Sequence, residues 1–459
     1  MHCSSDRSRG QEMMSPEVAQ PKGMSRAILA LIFVFVILVW PVIFFGIDST
    51  SEAWDQNQHH LIVIRKATAT FVGAANATPI WELMRDYPSA TGPGYHLFLS
   101  LFGAIGLGDL TILRLISSLF GMALVVSVWK ILARRVDQWT ALALSAPLLC
   151  SPYLLSGSMW LTTDVAATWL MVLAMGAVLV ANPSATDRIR GGIFACLGVL
   201  VRQPTTWLVA PLFVSGAVAN RRSWSRQEVG SWILSCVLPL AVLAGLILLW
   251  GGLTPPAYRS MHDAGANFAT PAFALSLVGV WGIPWAIALR RIAPKEKRAL
   301  SWSMAGGGAF GLLCAVVPET SFDQAAGRWG GPLWSFVQIA PTLVNRSLLL
   351  LVLAPVGGIV LGRLLCHAWV NRGSATAAVL GVAIAAMLSA TTVNSQCWER
   401  YIDLPLLALL PMMVVIGVNR IDLVQLRWVR TASVILALIQ IGLSVWMVYR
   451  STFFGSLDR

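Results

Sequence analysis

The stretch 27–46, AILALIFVFVILVWPVIFFG, is followed by the polar run Trp54-Asp55-Gln56-Asn57-Gln58-His59-His60. A bilayer core needs about 20 mostly apolar residues per helix, so the first stretch predicts a membrane-spanning helix. Asp55 then lies just beyond the end of that helix. In a chain this apolar, an acid at the mouth of a membrane helix is a candidate for chemistry at the membrane surface.

The composition gives the same fold class. The chain has 459 residues, of which 56% are hydrophobic and only 12% are charged. These values are typical of a helical membrane protein and unlike those of a soluble domain. The sequence therefore predicts an all-α polytopic integral membrane protein without an attached soluble domain.

About thirteen segments are apolar enough to be transmembrane helices. They lie at 27–46, 109–132, 139–157, 162–181, 190–202, 204–219, 229–251, 272–289, 299–317, 347–366, 375–393, 400–418 and 431–449. The fifth and sixth are short and meet at Arg202-Gln203-Pro204. At that point the sequence is compatible either with two separate helices or with one broken helix.

The net charge of +12 does not indicate nucleic-acid binding, because the basic residues recur at alternate helix ends. They lie within 22–26, 130–135, 188–190, 221–226, 290–298, 363–372 and 420–430. If these segments are cytoplasmic, the chain follows the positive-inside rule throughout.

This orientation also defines the domains. Residues 1–26 are a cytoplasmic tail, 27–459 form a single transmembrane domain, and 47–108 are its first external loop. The charge pattern requires that 92–107 does not span, so we expect a juxtamembrane helix at the outer surface. The apolar stretch 61–71 contains Arg65 and Lys66 and suits a second, interfacial helix.

Polar and ionisable residues then recur on the predicted outer side. Such groups are costly in lipid and usually face a water-filled cavity. The candidate site residues are Asp55, His59, Asp86, Asp164, Arg202, Gln203, His262, Asp263, Asn345, Arg346, Arg400 and Tyr401.

Several candidates also have ordinary structural explanations. Asp86 fits a turn before Pro88, and Asp164 fits a helix N-cap. Arg400 fits an interfacial anchor, or a partner of its neighbour Glu399. These alternatives stay open at the level of the sequence.

The two adjacent histidines differ in their expected relation to Asp55. His59 lies four residues after Asp55 and could share its helical face. In an α-helix, His60 would then point elsewhere.

Seven short motifs, in order along nearly the whole chain, resemble those of the dolichyl-phosphoglucose-dependent α-1,2-glucosyltransferases, a GT-C glycosyltransferase family. They are Asp55-Gln56 with His59, Thr91-Gly92-Pro93-Gly94, Thr163-Asp164, Arg202-Gln203-Pro204-Thr205, His262-Asp263, Asn345-Arg346, and Arg400-Tyr401 with Pro405. The chain departs from that family at Gln56, where the family has Glu, and in the residues before Asn345.

The resemblance implies a GT-C fold and an inverting hexosyltransferase. Its expected partners are a polyprenyl-phosphate sugar donor, a glycan or lipid-linked acceptor, and membrane lipids, with no nucleic acid. The implied general base is Asp55, and the implied donor-phosphate ligands are Arg400, Arg202 and Arg346. The other candidates would bind or support substrate, at a site on the extracytoplasmic side, without a required cofactor.

Two other functional classes share some of these sequence features. A polytopic transporter or flippase for a lipid-linked or anionic substrate is the main alternative. Transporters often contain inverted repeats, and this sequence shows no repeat of fixed period. A non-enzymatic scaffold would explain the spans but not the acids at successive helix mouths. The seven cysteines show no paired metal-like spacing. A divalent ion held by Asp55 and Asp164 stays open.

The alternating charges make a topology prediction. In a chain whose native cysteines are replaced, Ala325→Cys should react with a membrane-impermeant maleimide in intact cells. Lys295→Cys should react only after permeabilisation, because the segment 290–298 is expected in the cytoplasm. Labelling of position 295 but not of position 325 in intact cells would show the opposite orientation and contradict the prediction.

Overall fold

A computed structural model describes residues 26–48, 52–180, 183–219, 225–259, 265–289, 296–372, 374–418 and 422–453. The tail 1–25, the pair His262 and Asp263, and most of the basic segment 290–298 lie outside the described residues.

The described chain is mostly helical. Its helices are α1 (Arg26–Phe44), α2 (Glu52–Asp55), α3 (Leu61–Phe71), α4 (Ile80–Arg85), α5 (Gly94–Ala104), α6 (Leu110–Ala133), α7 (Gln138–Leu149), α8 (Pro152–Met159), α9 (Asp164–Val178), α10 (Ala185–Val201), α11 (Val209–Ala219), α12 (Arg226–Trp250), α13 (Thr270–Ala288), α14 (Lys297–Val316), α15 (Pro332–Ile339), α16 (Leu348–Arg372), α17 (Ser374–Thr392), α18 (Arg400–Gly417) and α19 (Leu423–Phe453). A π-helical segment (Gln56–His60) joins α2 to α3, and 3₁₀ turns occupy Gln203–Leu208 and Pro256–Tyr258. Two short antiparallel strands, β1 (Thr342–Leu343) and β2 (Arg346–Ser347), form a hairpin.

In the described part of the chain, nine helices are long and apolar enough to cross a membrane. They are α1, α6, α12, α13, α14, α16, α17, α18 and α19. The bent pair α7–α8 would be a tenth span. The chain is therefore a multi-pass membrane protein.

Every segment predicted to span is helical, but the count of about thirteen spans is not confirmed. α9, α10 and α11 have 15, 17 and 11 residues. With a rise of about 1.5 Å per residue, each is shorter than a hydrocarbon core of about 30 Å. The predicted span 139–157 is two helices that meet at 70°. Ser151 is the N-cap of α8, and Pro152 is its first residue. Because proline disfavours α-helical geometry in the residue before it, α7 ends just before this point.

The interval between α1 and α6 contains only short helices, α2 to α5, among its described residues. α5 has 11 residues, too few to span, in agreement with the expectation for 92–107. α3 has the bounds predicted for the interfacial helix. The two helices pack together, and Ser100 of α5 donates a hydrogen bond to the Ile64 carbonyl of α3 (3.1 Å).

α18 and α13 are the most buried of the long helices. The Asp403 carboxylate in α18 accepts hydrogen bonds from Trp281 Nε1 of α13 (2.7 Å) and from Ser151 Oγ (3.2 Å). A carboxyl group inside a membrane domain needs such partners, because lipid offers none. These bonds fasten α18 to α13 and α8.

Small residues bring α16 close to both α13 and α14. A Cβ added at Gly357 would meet the Leu275 carbonyl of α13, and one at Gly358 would meet the Gly307 carbonyl of α14. Close backbone approach through small residues is a usual way to pack membrane helices. Gly307 and Gly358 thus serve helix packing.

Candidate active site

Two acids and two arginines from distant parts of the chain form one ion-pair cluster. Arg400 Nη1 lies 2.9 Å from Asp55 Oδ2, and Arg400 Nε lies 3.7 Å from Asp164 Oδ2. Arg202 is paired with Asp164. Asp164 therefore bridges the two guanidinium groups, and Asp55 contacts one of them.

Aromatic rings cover the same arginines. The Arg202 guanidinium lies 4.1 Å from the centre of the Tyr401 ring, and that of Arg400 lies 4.8 Å from the Trp398 ring. Cation–π contacts of this kind hold guanidinium planes in position. Arg202 and Arg400 are thus fixed by both charge and stacking.

Helix ends supply three of the four charged residues. α9 begins at Asp164, and α18 begins at Arg400. Arg202 follows the last residue of α10 in an extended conformation (φ −147°, ψ 119°), and Pro204 lies in the 3₁₀ turn after it. The predicted break at Arg202 is confirmed. Because proline disfavours helical geometry before it and lacks an amide proton, the α-helix does not continue through this point.

The structure excludes one of the structural explanations for Asp164 and one for Arg400. Asp164 is the first helical residue of α9 and Thr163 occupies the N-cap position, so the N-cap explanation for Asp164 is wrong. The proposed pairing of Arg400 with Glu399 is replaced by the pairs with Asp55 and Asp164.

Glu399 instead belongs to the protein interior. Its Oε2 accepts a hydrogen bond from the Leu333 amide (2.8 Å). Burial raises the pKa of Glu399 well above its usual value, and the nearby Asp403 carboxylate raises it further.

Asp55 is held at the cluster by its neighbour Gln56. Gln56 Oε1 accepts hydrogen bonds from Arg114 Nε of α6 (2.8 Å) and from the Leu161 amide (3.3 Å). Arg114 also binds Asp48 at 2.5 Å. Gln56 is fully buried and does not line the cavity described below. The Gln at this position, where the resembling family has Glu, therefore removes no acid from the cavity.

The helix is wider than an α-helix over the π-helical segment Gln56–His60. The Leu61 amide donates to the Gln56 carbonyl, a hydrogen bond between residues five apart. Both His59 and His60 line the cavity, although α-helical geometry predicted that only one of them would share the face of Asp55. A π-helical turn shifts the angular positions of the residues that follow, so the α-helical expectation does not apply here.

A cavity of about 2230 Å³ opens at the cluster. Asp55, His59, Arg202, Gln203, Arg400 and Tyr401 line it. Asp164 is not among its lining residues, and its side chain is only 12% exposed. Asp164 therefore supports the two arginines from behind.

The cavity also has an apolar side. Phe213 of α11, Leu240 of α12 and Val393 line it, and each of these side chains is largely exposed on the surface of the protein. Because α12 is long and apolar enough to cross a membrane, the polar cluster shares its cavity with a side chain of a candidate membrane span.

His59 and Gln203 are fixed on the cavity wall. His59 Nδ1 lies 3.1 Å from the Tyr258 hydroxyl, which donates to the Pro88 carbonyl. Gln203 Nε2 donates to the Ala90 and Leu253 carbonyls at 3.4 and 3.3 Å. The structure thus brings both predicted residues to the site.

Three predicted residues lie away from the cavity. Asp86 is exposed and paired with Arg85 at 2.8 Å, and this hydrogen bond lowers the pKa of Asp86. Asn345 is in the β1–β2 turn with φ 58° and donates to Glu319. Arg346 donates to the Val316, Val317 and Val344 carbonyls.

The contacts of these three residues serve local structure. The Asp86 carboxylate is engaged by its neighbour Arg85, and Asp86 follows the last residue of α4. Arg346 satisfies carbonyls at the end of α14, as basic side chains do at helix C-termini. Of the three arginines predicted at the site, Arg202 and Arg400 line the cavity and Arg346 does not. His262 and Asp263 lie outside the described residues.

Several cavity residues were missed from the sequence. They are Trp54, His60, Tyr258, Trp329 and Trp398. The position of Trp398, two residues before Arg400, was the available signal, because aromatic rings often stack on arginine. Tyr258 has no comparable signal, since its contact with His59 joins residues 199 positions apart.

In the residues that the structure describes, no three His, Cys, Asp or Glu side chains form a group suited to a metal ion. Asp55 and Asp164, the two acids considered for one, are both paired with arginine.

Comparison with known proteins gives two similarities. Residues 89–250 match the family model described as dolichyl-phosphate-mannose-protein mannosyltransferase. This range includes Asp164 and Arg202 but neither Asp55 nor Arg400. The crystal structure of ArnT from Cupriavidus metallidurans in the apo state is similar to this chain with 14% sequence identity and a TM-score of 0.37. That similarity covers 89% of this chain and 78% of that one. No curated protein shows detectable sequence similarity to the chain.

The bridging position of Asp164 predicts a stability effect. Asp164→Asn should lower the melting temperature of the purified protein by several degrees, because it leaves two poorly solvated guanidinium groups with one acid between them. Asp86→Asn, which removes an exposed pair, should change it by less than about 1 °C. Equal melting temperatures for the two variants would contradict the bridging role.

Proposed function

We propose that this protein is a GT-C membrane glycosyltransferase that moves a sugar from a polyprenyl-phosphate donor to a hydroxyl group of a glycan or lipid-linked acceptor. The observation that carries the proposal is the cavity that holds Arg202 and Arg400 beside the Asp55 carboxylate and that is also lined by apolar residues, among them Leu240 of the candidate span α12. The active site is proposed to face the extracytoplasmic side, as the positive-inside pattern favours.

The two arginines suit the phosphate of the donor. A guanidinium group can bind two phosphate oxygens at once, and it keeps its charge in a poorly hydrated site. Arg202, Arg400, Asp55 and Asp164 together carry no net charge, with Asp164 behind both arginines. A phosphate in the cavity would compete with Asp55 for Arg400, while Asp164 would keep both guanidinium groups in place.

The apolar wall suits the polyprenyl chain. Phe213, Leu240 and Val393 belong to the same cavity as the arginines. A lipid phosphate bound there could leave its hydrocarbon tail against these residues and in the membrane. A water-soluble nucleotide sugar would gain nothing from this wall.

Asp55 is proposed as the general base. The acceptor oxygen forms a bond to the anomeric carbon as the bond between that carbon and the phosphate oxygen breaks. The acceptor proton passes to Asp55, and the polyprenyl phosphate leaves with the bonding electron pair. Attack opposite the leaving phosphate would invert the anomeric configuration. Arg400 and Arg202 would stabilise the negative charge that develops on the leaving group.

The family match supports the donor class, because its description names a dolichyl-phosphate sugar. That description names mannose, whereas the motif resemblance indicates glucose and an α-1,2 linkage. We therefore propose a hexose donor, with glucose and mannose as the two sugars to test.

The role of Asp55 predicts the effect of a nearly isosteric change. Asp55→Asn should slow turnover by about 100- to 10,000-fold, because an amide cannot take up the acceptor proton. Binding of the donor should persist, since the phosphate is assigned to the arginines. The measurement is single-turnover transfer with purified protein, and His367→Gln, at a residue that does not line the cavity, is the control. Turnover within threefold of the wild type in folded Asp55→Asn would refute the assignment.

The role of Arg400 predicts a graded series. Arg400→Lys should weaken transfer while donor binding persists, because the charge remains and the bidentate geometry is lost. Arg400→Ala should lose both transfer and donor binding. Arg346→Lys is the matched control and should leave transfer and donor affinity unchanged.

The decisive assay offers the purified wild-type protein polyprenyl-phosphate glucose, polyprenyl-phosphate mannose and the corresponding nucleotide sugars. Transfer from a polyprenyl-phosphate form is the expected result. Transfer from a nucleotide sugar alone would refute the proposal. Movement of the lipid across a vesicle membrane without any transfer would favour the transporter or flippase alternative.

A further inference from the structure

A chain of three hydrogen-bonded side chains leads from the cavity wall into the protein. His60 Nδ1 lies 2.8 Å from His96 Nε2, and His96 Nδ1 lies 2.5 Å from the Tyr87 hydroxyl. His60 lines the cavity, whereas His96 and Tyr87 are fully buried. The proposed transfer mechanism does not use any of the three.

All three side chains are neutral at physiological pH. Burial lowers the pKa of His60 to about 3, with a further contribution from the positive charge of Arg400. Burial lowers the pKa of His96 well below its usual value and raises that of Tyr87. Each imidazole therefore has one N–H donor and one acceptor nitrogen, and Tyr87 keeps its hydroxyl proton.

The buried hydroxyl sets the direction of the chain. Tyr87 donates to His96 Nδ1, which must then be the unprotonated nitrogen of that ring. The proton of His96 is on Nε2 and is donated to His60 Nδ1. The proton of His60 is consequently on Nε2, the ring nitrogen that is left for a ligand.

The backbone of Gly92 raises the pKa of His96, against the effect of burial. The opposite arrangement would place the proton of His96 on Nδ1. If His96 Nδ1 carried the proton, however, the Tyr87 hydroxyl would have no acceptor among the described residues. A buried donor without an acceptor is costly, so the chain that begins at Tyr87 is favoured.

We infer that His60 binds the sugar of the donor, by presenting a neutral Nε2–H that donates to a sugar hydroxyl oxygen, and that Tyr87 and His96 position it by fixing its tautomer. This inference rests on the proposed function for the identity of the ligand. Arg202 and Arg400 account for the anionic part of the donor. The neutral N–H of His60 on the same wall matches a neutral acceptor oxygen. In a polyprenyl-phosphate sugar, the sugar hydroxyl groups supply such oxygens.

The test of the tautomer uses nitrogen-15 NMR of the full-length protein labelled at histidine. The His60 signals are those lost in His60→Phe. At pH 7 they should show a protonated Nε2 and an unprotonated Nδ1. Tyr87→Phe should change this pattern, because it removes the hydroxyl that donates to His96 Nδ1 and so keeps that nitrogen unprotonated.

Tyr95→Phe is the matched control. The Tyr95 hydroxyl is also buried and bonds to Ser117 Oγ at 2.7 Å, and it makes no hydrogen bond to either histidine. Its loss should leave the His60 tautomer unchanged.

The test of the ligand compares two lipids. For wild-type protein, we expect polyprenyl-phosphate glucose or mannose to bind more tightly than sugar-free polyprenyl phosphate. Tyr87→Phe and His60→Phe should each weaken binding of the sugar-bearing lipid by roughly five- to tenfold, the value of one hydrogen bond. The affinity for sugar-free lipid should change by less than about twofold. Tyr95→Phe should change neither.

The outcomes separate this inference from the proposed function. A wild-type His60 with Nδ1 protonated, or doubly protonated at pH 7, would overturn the inference and leave the proposed transfer intact. The inference is also overturned, with the proposed transfer intact, if His60→Phe weakens the binding of both lipids equally. If the wild type binds neither lipid, the proposed function fails, and the sugar assignment of His60 fails with it.

Discussion

The pairing of two arginines with two acids in an apolar environment is the constraint on which the site depends. A charge removed from water is tolerated only when it is paired and hydrogen-bonded. Arg202 and Arg400 satisfy this through Asp164, and Arg400 also through Asp55. The pairs join the end of α10 to the starts of α9 and α18 and to the helical run that contains Asp55.

This constraint explains two irregularities of the backbone. Arg202 lies in an extended conformation between two helices, where Pro204 disfavours a continuous α-helix. The π-helical segment after Asp55 lets both His59 and His60 line the cavity while buried Gln56 anchors the run to Arg114. Irregular backbone is tolerated at membrane depth where it is buried in protein or lines a cavity. Both irregularities therefore occur where residues of the candidate site must be presented.

The surrounding bundle supplies a rigid support for these groups. Asp403 fastens α18 to α13 through Trp281, and small residues let α16 approach α13 and α14 closely. Because α18 begins at Arg400, its packing also determines where that guanidinium lies. Phe213, Leu240 and Val393 line the same cavity as the two guanidinium groups, so one arrangement of the chain provides both the polar and the apolar side of the cavity.

The sequence by itself determined the membrane class, the positions of the apolar helices, the break at Arg202 and the candidacy of Asp55, Arg202 and Arg400. These follow from hydropathy, from the geometry of proline and from the cost of charge in lipid, all of which act within a short stretch of chain. The tertiary structure decided that Asp164 supports two arginines from behind, that Arg346 and Asp86 serve local structure, and that His60, His96 and Tyr87 form a chain. Contacts such as Arg400 with Asp55 join residues 345 positions apart. No local pattern contains such a pairing, because it depends on how the helix ends pack in three dimensions.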